Sequence, residues 1–198
     1  MTALPVALAA LLAQAAGATA LPGGAPIIAI QTEAGSIRVE LDPVHAPATV
    51  ANFLRYVDER FFDHTAFYRT VTTSPDNQPD KRVKIDVIQG GANDTKATYA
   101  PIALERTSVT GLKHLDGTIS MARDGPDTAT SEFFICVGDQ PELDFGGHRN
   151  PDGQGFAAFG RVIAGMEIVR RIHAARADGQ RLDPPIAIIR IVREPPAH

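Results

Sequence analysis

The chain has 198 residues, is 44% hydrophobic and 21% charged, and is long enough for one substantial core, as in ordinary folded soluble proteins. Its formal net charge of -4 argues against a nucleic-acid partner, which would require a clustered basic face. The single cysteine, Cys136, excludes an intrachain disulfide, and its place within an apolar run favours a small buried side chain over a nucleophile.

The first 20 residues carry no charged side chain and predict a cleaved leader. An apolar run from Ala3 to Leu12 precedes Ala18-Thr19-Ala20, a small-x-small pattern suited to signal-peptidase cleavage. We therefore predict a signal peptide over residues 1–20 and a periplasmic or secreted protein. Because no Lys or Arg precedes the run, the alternative is an Ala-rich leader on a cytoplasmic protein. The run is too short to predict a membrane anchor, so no membrane partner is expected.

Side-chain periodicity predicts the elements of the first half. Ile27 to Gln31 and Ile37 to Leu41 flank a Glu-Ala-Gly-Ser turn and predict a hairpin. Pro47 suits a first helical turn, and apolar residues then recur at helical spacing to about Glu59. A strand is predicted around Phe67 to Val71. The polar, turn-rich stretch Ser74 to Arg82 follows as a surface loop.

The second half is predicted to be mainly strands. In the strand Val83 to Gln89, the side chains of Ile85, Val87 and Gln89 share one face. The later elements are, in order, a short strand near Ile102 to Glu105, a hairpin of Thr118 to Ala122 with Glu132 to Val137, a strand at Phe156 to Val162, a helix from Gly165 to about Ala174, and a final strand at Ile186 to Val192.

The run Glu132 to Val137 carries a large aromatic on each face. With a period of two, Phe133 points to one face and Phe134 to the other. Phe134 could then lie on an outer sheet face, in a groove for an apolar ligand. A strand buried on both faces would show the same continuous apolar run, and the pattern leaves both interpretations open.

Seven or eight strands and two helices, without an internal repeat or a linker, predict a single domain. This count favours a β-barrel or sandwich with helices at its ends. The six histidines show no His-x-x-x-His spacing and have no cysteine partners, so we expect no metal site. Phosphate-loop and dinucleotide-binding fingerprints are also missing from the sequence, and no cofactor is expected.

Several separate fragments occur in an order that resembles the cyclophilin family of peptidyl-prolyl cis-trans isomerases. They are Ala46-Pro-x-Thr-Val-x-Asn-Phe53, Phe67-Tyr-Arg69, Ile88-Gln-Gly-Gly91, Gly117-Thr-Ile-Ser-Met-Ala122, Ser131-Glu-Phe-Phe-Ile135 and Phe159-Gly-Arg-Val162. The resemblance extends from about Ile27 to Val192. It implies a mainly β fold, a closed eight-stranded antiparallel β-barrel capped by two α-helices, within one domain over residues 21–198. The family default is a monomer.

The resemblance also implies the site residues. By position in the family motifs, Arg69 and Gln89 are the catalytic residues, and Phe134 is the floor of a proline pocket outside the barrel. The substrate-binding residues that it implies are Val87, Ile88, Ala122, Arg123, Glu132, Phe134, Leu143 and Phe156. The implied partners are proline-containing unfolded or extended polypeptides, and the implied activity is rotation about the X–Pro bond during protein folding.

Among the departures from the family pattern, those at Asp86 and Glu132 leave an alternative open. Asp86 stands where many members have a pocket Phe, and Glu132 stands where they usually have Gln. Glu132 could pair with Arg69, either orienting the guanidinium or occupying it. The alternative to an enzyme is therefore a binding module that holds Pro-containing peptides with little turnover. The connection Thr72 to Arg82 is longer than in compact members, and we expect a solvent-exposed segment there, with a partner-recognition loop as the alternative.

Overall fold

A computed structural model defines residues 24–195. The predicted leader, residues 1–20, lies outside this range, and export stays a prediction. Within residues 24–195, none of the helices has the length and apolar character needed to cross a membrane.

Strands dominate this part of the chain. The structure assigns them as β1 (Ile27–Thr32), β2 (Gly35–Leu41), β3 (Thr65–Val71), β4 (Val87–Gly90), β5 (Thr118–Met121), β6 (Phe133–Cys136), β7 (Ala158–Ala164), β8 (Ala177–Asp178) and β9 (Arg181–Arg193). All pairings are antiparallel, in the order β1-β2-β7-β5-β6-β4-β3-β9, and β1 also pairs with β9. That last pairing closes an eight-stranded barrel, as predicted, while β8 adds only a short hairpin to β9.

Helices α1 (Pro47–Asp58) and α3 (Met166–His173) are the two that the sequence predicted. Helix α1 has proline in its first turn, where no intrahelical hydrogen bond from that nitrogen is needed. Its Phe53 enters the barrel and packs against Phe133 and Phe159, with ring centroids 5.4 and 5.1 Å away. A third, one-turn helix, α2 (Thr107–Thr110), was not predicted. A 3-10 turn covers Pro141–Leu143.

Three strand predictions need correction. No strand forms at Ile102 to Glu105, where only an isolated bridge joins Ile102 to Ala129. The predicted strand from Val83 begins only at Val87, because the side chain of Gln78 takes both backbone hydrogen bonds of Ile85. The final strand begins at Arg181 rather than Ile186, since its first residues pair with β8 and with Arg69.

The two faces of β6 belong to different clusters. Phe133 and Ile135 lie fully buried in the barrel core. Phe134 and Cys136 are also buried, but in a smaller cluster outside the barrel. Gly91, just after β4, makes room for the inner ring, since a Cβ there would lie 2.9 Å from Phe133 Cδ1. Both interpretations of this run are therefore partly right: each face is buried, and the outer one forms the floor of a groove.

Candidate active site

An open cavity of about 430 Å³ lies on the outer face of the barrel beside this smaller cluster, and we call it the outer groove. Strands β3, β4 and β6 contribute to it together with the loops that follow β3 and the 3-10 turn. Its lining residues are Arg69, Lys81, Ile85, Val87, Gln89, Ala122, Arg123, Asp124, Thr128, Thr130, Glu132, Phe134, Leu143, Arg149, Asn150 and Phe156.

The floor of the outer groove is apolar. Phe134 meets Phe156 edge to face, with centroids 5.3 Å apart, and His114 stacks behind Phe134 at 6.0 Å. Val87 and Leu143 are buried in the same cluster. Aromatic edge-to-face pairs fix ring orientation, so these side chains offer a shaped pocket for a small apolar ring.

Arg69 stands in β3 at the edge of this floor, and glutamine side chains hold its guanidinium. Its Nη1 donates to Gln89 Oε1 at 2.7 Å. Its Nε and Nη2 both donate to Gln180 Oε1, at 2.9 and 2.6 Å. Burial lowers the pKa of Arg69 from its usual value, but an arginine stays charged in proteins. The group is thus a fixed cation next to an apolar surface.

Strand register explains why these residues meet. Arg69 pairs with Gln89 between β3 and β4, and Gln89 pairs with Phe134 between β4 and β6. Residues opposite one another in antiparallel strands point to the same face, at Cβ separations of about 5 Å. Three neighbouring strands therefore place the cation, the amide and the aromatic in one row on the outside of the barrel.

Glu132 reaches Arg69 only through Gln89. Its carboxylate accepts a short hydrogen bond from the Tyr68 hydroxyl and another, at 2.9 Å, from Gln89 Nε2. Gln89 Nε2 also donates to the Tyr68 oxygen at 2.6 Å. In residues 24–195 no ion pair joins Glu132 to Arg69, so the direct pairing considered from the sequence is wrong. The carboxylate instead turns the Gln89 oxygen towards Arg69.

Tyr68 gives this network a measurable pH dependence. Burial, and then its hydrogen bond to Glu132, raise the pKa of Tyr68 well above the usual value of about 10. Above about pH 10 the unfolded tyrosine loses its proton while the folded one keeps it, so this stabilisation is complete below that pH and is lost as pH rises through the folded pKa. We expect the free energy of unfolding, measured in urea, to fall less in Tyr68→Phe than in the wild type as the pH rises from about 9 to 11. A pH profile of stability that is the same in Tyr68→Phe and the wild type would contradict this. Tyr56→Phe is the comparison variant, because burial also raises the pKa of Tyr56.

Asp86 does not line the outer groove, contrary to the sequence-based expectation. Its carboxylate accepts hydrogen bonds from the backbone and hydroxyl of Thr73, both at 2.8 Å, and lies 3.4 Å from His173 Nε2. Because side chains alternate, the lining residues are Ile85 and Val87 on either side of it. Ile85 and Val87 therefore make the groove wall apolar here, and the carboxylate of Asp86 is not part of that wall.

Of the ten site residues inferred from the sequence, Ile88 is misplaced. It is fully buried inside the barrel, because it alternates with Val87 and Gln89 along β4. The structure brings the other nine together around the outer groove: Arg69, Val87, Gln89, Ala122, Arg123, Glu132, Phe134, Leu143 and Phe156.

Arg123 lines the groove but is engaged by the protein itself. Its guanidinium makes two hydrogen bonds to Asp152, at 2.8 and 2.9 Å, and two to the carbonyl of Gly155. It also lies 5.0 Å from the centre of the Phe156 ring. These contacts tie the loop before β7 to the groove, so the side chain of Arg123 positions Phe156.

Sequence reasoning missed Gln180, Tyr68 and Arg149. Simple alternation would point Tyr68 to the face opposite Arg69. The strand register is irregular between Phe67 and Arg69, and the Tyr68 hydroxyl meets Gln89 there, which the sequence pattern does not reveal. Gln180 had no local signal, because it reaches Arg69 only through the pairing of β3 with β9. Arg149 belongs to a long loop whose path the pattern does not define.

Comparison with known proteins agrees with this geometry. Residues 27–193 match the family model for cyclophilin type peptidyl-prolyl cis-trans isomerases. Peptidyl-prolyl cis-trans isomerase A of Dickeya dadantii is 36% identical over 76% of this chain and 73% of its own. Peptidyl-prolyl cis-trans isomerase B of Escherichia coli is 35% identical over 74% of this chain and 83% of its own.

A solved structure shows the same fold. The cyclophilin type isomerase of Cryptosporidium parvum superposes with a TM-score of 0.69 at 24% identity, over 87% of this chain and 99% of that one. A second structure of it, in the presence of the dipeptide Ala-Pro, gives a TM-score of 0.67 over 85% and 99% of the two chains. Since the family model covers nearly the whole described domain, this chain belongs to the cyclophilin-type peptidyl-prolyl cis-trans isomerase family.

Proposed function

We propose that this chain accelerates rotation about X–Pro bonds in polypeptides, with Arg69 as the catalytic donor and Phe134 as the floor of the proline pocket. One observation carries the proposal: a guanidinium fixed by Gln89 and Gln180 stands at the edge of a groove whose floor is apolar and aromatic. A charged donor beside an apolar ring pocket suits a reaction centred on a prolyl nitrogen.

The chemistry needs neither a nucleophile nor proton transfer. Amide resonance opposes rotation with a barrier of roughly 18–20 kcal/mol, and as the bond twists the prolyl nitrogen becomes a better hydrogen-bond acceptor. A guanidinium that donates to this nitrogen stabilises the twisted state more than either planar state. The apolar floor keeps water from competing for the same nitrogen. Fixing the guanidinium in advance avoids reorganisation during the reaction.

Gln89 and Gln180 have different tasks in this proposal. Gln180 occupies Nε and Nη2 from the side of β9, while Gln89 holds only Nη1. The Gln89 amide is itself anchored by Glu132 and Tyr68. Gln89 can therefore set the plane of the guanidinium while facing the groove, where it can also contact a bound peptide backbone.

The proposed substrates are extended or unfolded chains that contain proline. The groove is open to solvent, so a segment of a longer polypeptide can enter it. Uncatalysed exchange of X–Pro bonds takes roughly tens to hundreds of seconds, slow enough to limit folding. The presence of the dipeptide Ala-Pro in a structure of the Cryptosporidium parvum relative supports this substrate class.

The direct test is NMR exchange spectroscopy on a proline tetrapeptide with substoichiometric protein. We expect cis-trans exchange to become fast enough to give exchange peaks that the peptide alone lacks. Saturable binding without faster exchange would overturn the proposal in favour of a binding module. The case for a binding module is weaker than the sequence suggested, because Asp86 does not line the groove.

Removing the Glu132 carboxylate should lower the isomerisation rate rather than raise it. In Glu132→Leu the Gln89 amide loses one of its two acceptors and keeps only the Tyr68 oxygen, and we expect kcat/KM to fall by about tenfold. Glu132→Gln keeps an acceptor oxygen and should lose less. A faster Glu132→Leu enzyme would show that the carboxylate restrains Arg69 harmfully. A protease-coupled assay at constant ionic strength measures both variants.

A further inference from the structure

The loop between β3 and β4 packs against the outer groove and does not simply project into solvent. Its Gln78 is buried, and the Gln78 amide nitrogen donates to the carbonyls of Thr72 and Ile85, at 3.0 and 2.8 Å. From across the groove, Arg149 Nη1 donates to Gln78 Oε1 at 2.7 Å and to the Val83 carbonyl at 2.6 Å. The expectation of a freely exposed segment is therefore wrong at Gln78. Arg149 joins this loop to the loop before β7.

This junction brings extra positive charge to the groove. Four cationic side chains line it: Arg69, Lys81, Arg123 and Arg149. Asp152 neutralises Arg123 through two hydrogen bonds. Among residues 24–195, the other three have no carboxylate within ion-pair distance. Of the two acidic groups on the lining, Glu132 offsets part of the charge of Arg69, and Asp124 lies on the exposed loop after β5.

Arg149 is suited to bind a carboxylate. Only its Nη1 is occupied by acceptors of the described chain, which leaves Nε and Nη2 as donors beside the cavity. It is half-buried, and burial together with the nearby charge of Arg69 lowers the pKa of Arg149. A carboxylate that binds beside Arg149 relieves its repulsion from Arg69. Lys81 lines the same cavity, and its backbone N–H donates to the carbonyl of Gln78, the residue that Arg149 contacts, at 3.0 Å.

We propose that Arg149 and Lys81 form a subsite for an acidic side chain of the substrate, so that this isomerase prefers X–Pro segments with Glu or Asp next to the proline. The expected effect on the isomerisation rate rests on the proposed function. The preference for an acidic peptide does not, because it can be measured as binding affinity alone. The chemical class is a carboxylate on a proline-containing peptide. The subsite lies where Arg149 meets the Gln78 loop.

The test compares two sets of three matched peptides, which carry Glu, Gln or Lys either before or after the proline. NMR titration gives the dissociation constants and exchange spectroscopy gives kcat/KM. We expect the Glu peptide to bind about fivefold more tightly than the Gln peptide, in at least one of the two positions, and the Lys peptide to bind most weakly. The preference should shrink in about 1 M salt, where charges are screened within roughly 3 Å.

Substitutions at two positions, Arg149 and Lys81, assign the preference to this subsite. Arg149→Gln should bring the Glu-to-Gln ratio close to one, and Arg149→Lys should restore part of it by keeping the charge. Lys81→Gln should lower the Glu-to-Gln ratio partially. This variant avoids a folding defect, because Lys81 is exposed and its side chain donates no hydrogen bond within residues 24–195. Arg190→Gln removes the same charge from the outer surface and should leave the ratio unchanged, since within residues 24–195 the Arg190 side chain donates only to Gln31.

The outcomes separate this inference from the proposed function. Equal binding of the Glu and Gln peptides by the wild type would overturn the acidic subsite, even if exchange is fast. A Glu preference that survives in both Arg149→Gln and Lys81→Gln would overturn it as well. A Glu preference in binding without faster exchange would support the subsite while removing the proposed isomerase activity.

Discussion

Replacing Arg69 with alanine should lower kcat/KM for isomerisation by roughly a hundredfold to a thousandfold, as is typical when a single fixed donor to a transition state is removed. The side chains of Gln89 and Gln180 hold the Arg69 guanidinium along two of its edges. Its loss removes the charge, the fork geometry and the donor facing the pocket together. KM should change much less than kcat, because the stabilisation is expected in the twisted state alone.

Arg69→Lys is the sharper variant for the mechanism. A lysine keeps the charge, but its ammonium cannot reproduce the planar fork that donates to both glutamine oxygens, so most of the rate should still be lost. Arg190→Ala, an exposed arginine away from the groove, is the matched control and should retain the wild-type rate. Equal rates for wild type and Arg69→Ala in the protease-coupled assay would remove Arg69 from the mechanism. Urea unfolding of each variant separates a catalytic loss from a folding defect.

The row of Arg69, Gln89 and Phe134 was predictable because it depends on neighbouring strands and a period of two. A family motif places each residue in its strand, and antiparallel pairing then sets them side by side. The same alternation, applied consistently, would have corrected two predictions. It turns Asp86 away from the groove and Ile88 into the barrel, while Ile85 lines the pocket wall.

The rest of the site depends on contacts between segments that are distant in the sequence. Gln180 meets Arg69 because β9 closes the barrel beside β3, and no local pattern marks it. Arg149 reaches Gln78 between two loops whose paths are set by side-chain hydrogen bonds to backbone carbonyls. Polar loop composition predicts exposure in general, but it does not predict a buried glutamine that organises the loop.

Alanine at Phe133 should reduce stability much more than alanine at Phe134, although the two residues are adjacent. Phe133 lies in the closed barrel, with its ring 5.4, 5.8 and 5.7 Å from those of Phe53, Phe62 and Phe67. Truncating a phenylalanine enclosed in this way costs about 3–5 kcal/mol in the free energy of unfolding. Whole domains have only about 5–15 kcal/mol of stability, so Phe133→Ala should unfold at far lower urea concentration.

Phe134→Ala should instead show its main effect on isomerisation. Its ring borders an open groove, so truncation enlarges the groove without leaving an enclosed void, and the cavity part of the stability cost is smaller. The pocket, however, loses the surface on which the proline ring would rest, and kcat/KM should fall by at least about tenfold. If Phe133→Ala remained as stable as Phe134→Ala in urea, or lost more activity per folded molecule, the assignment of the two β6 faces would be wrong. Comparing Phe133→Ala with Phe134→Ala therefore tests whether the inner face of β6 packs the barrel while its outer face binds substrate.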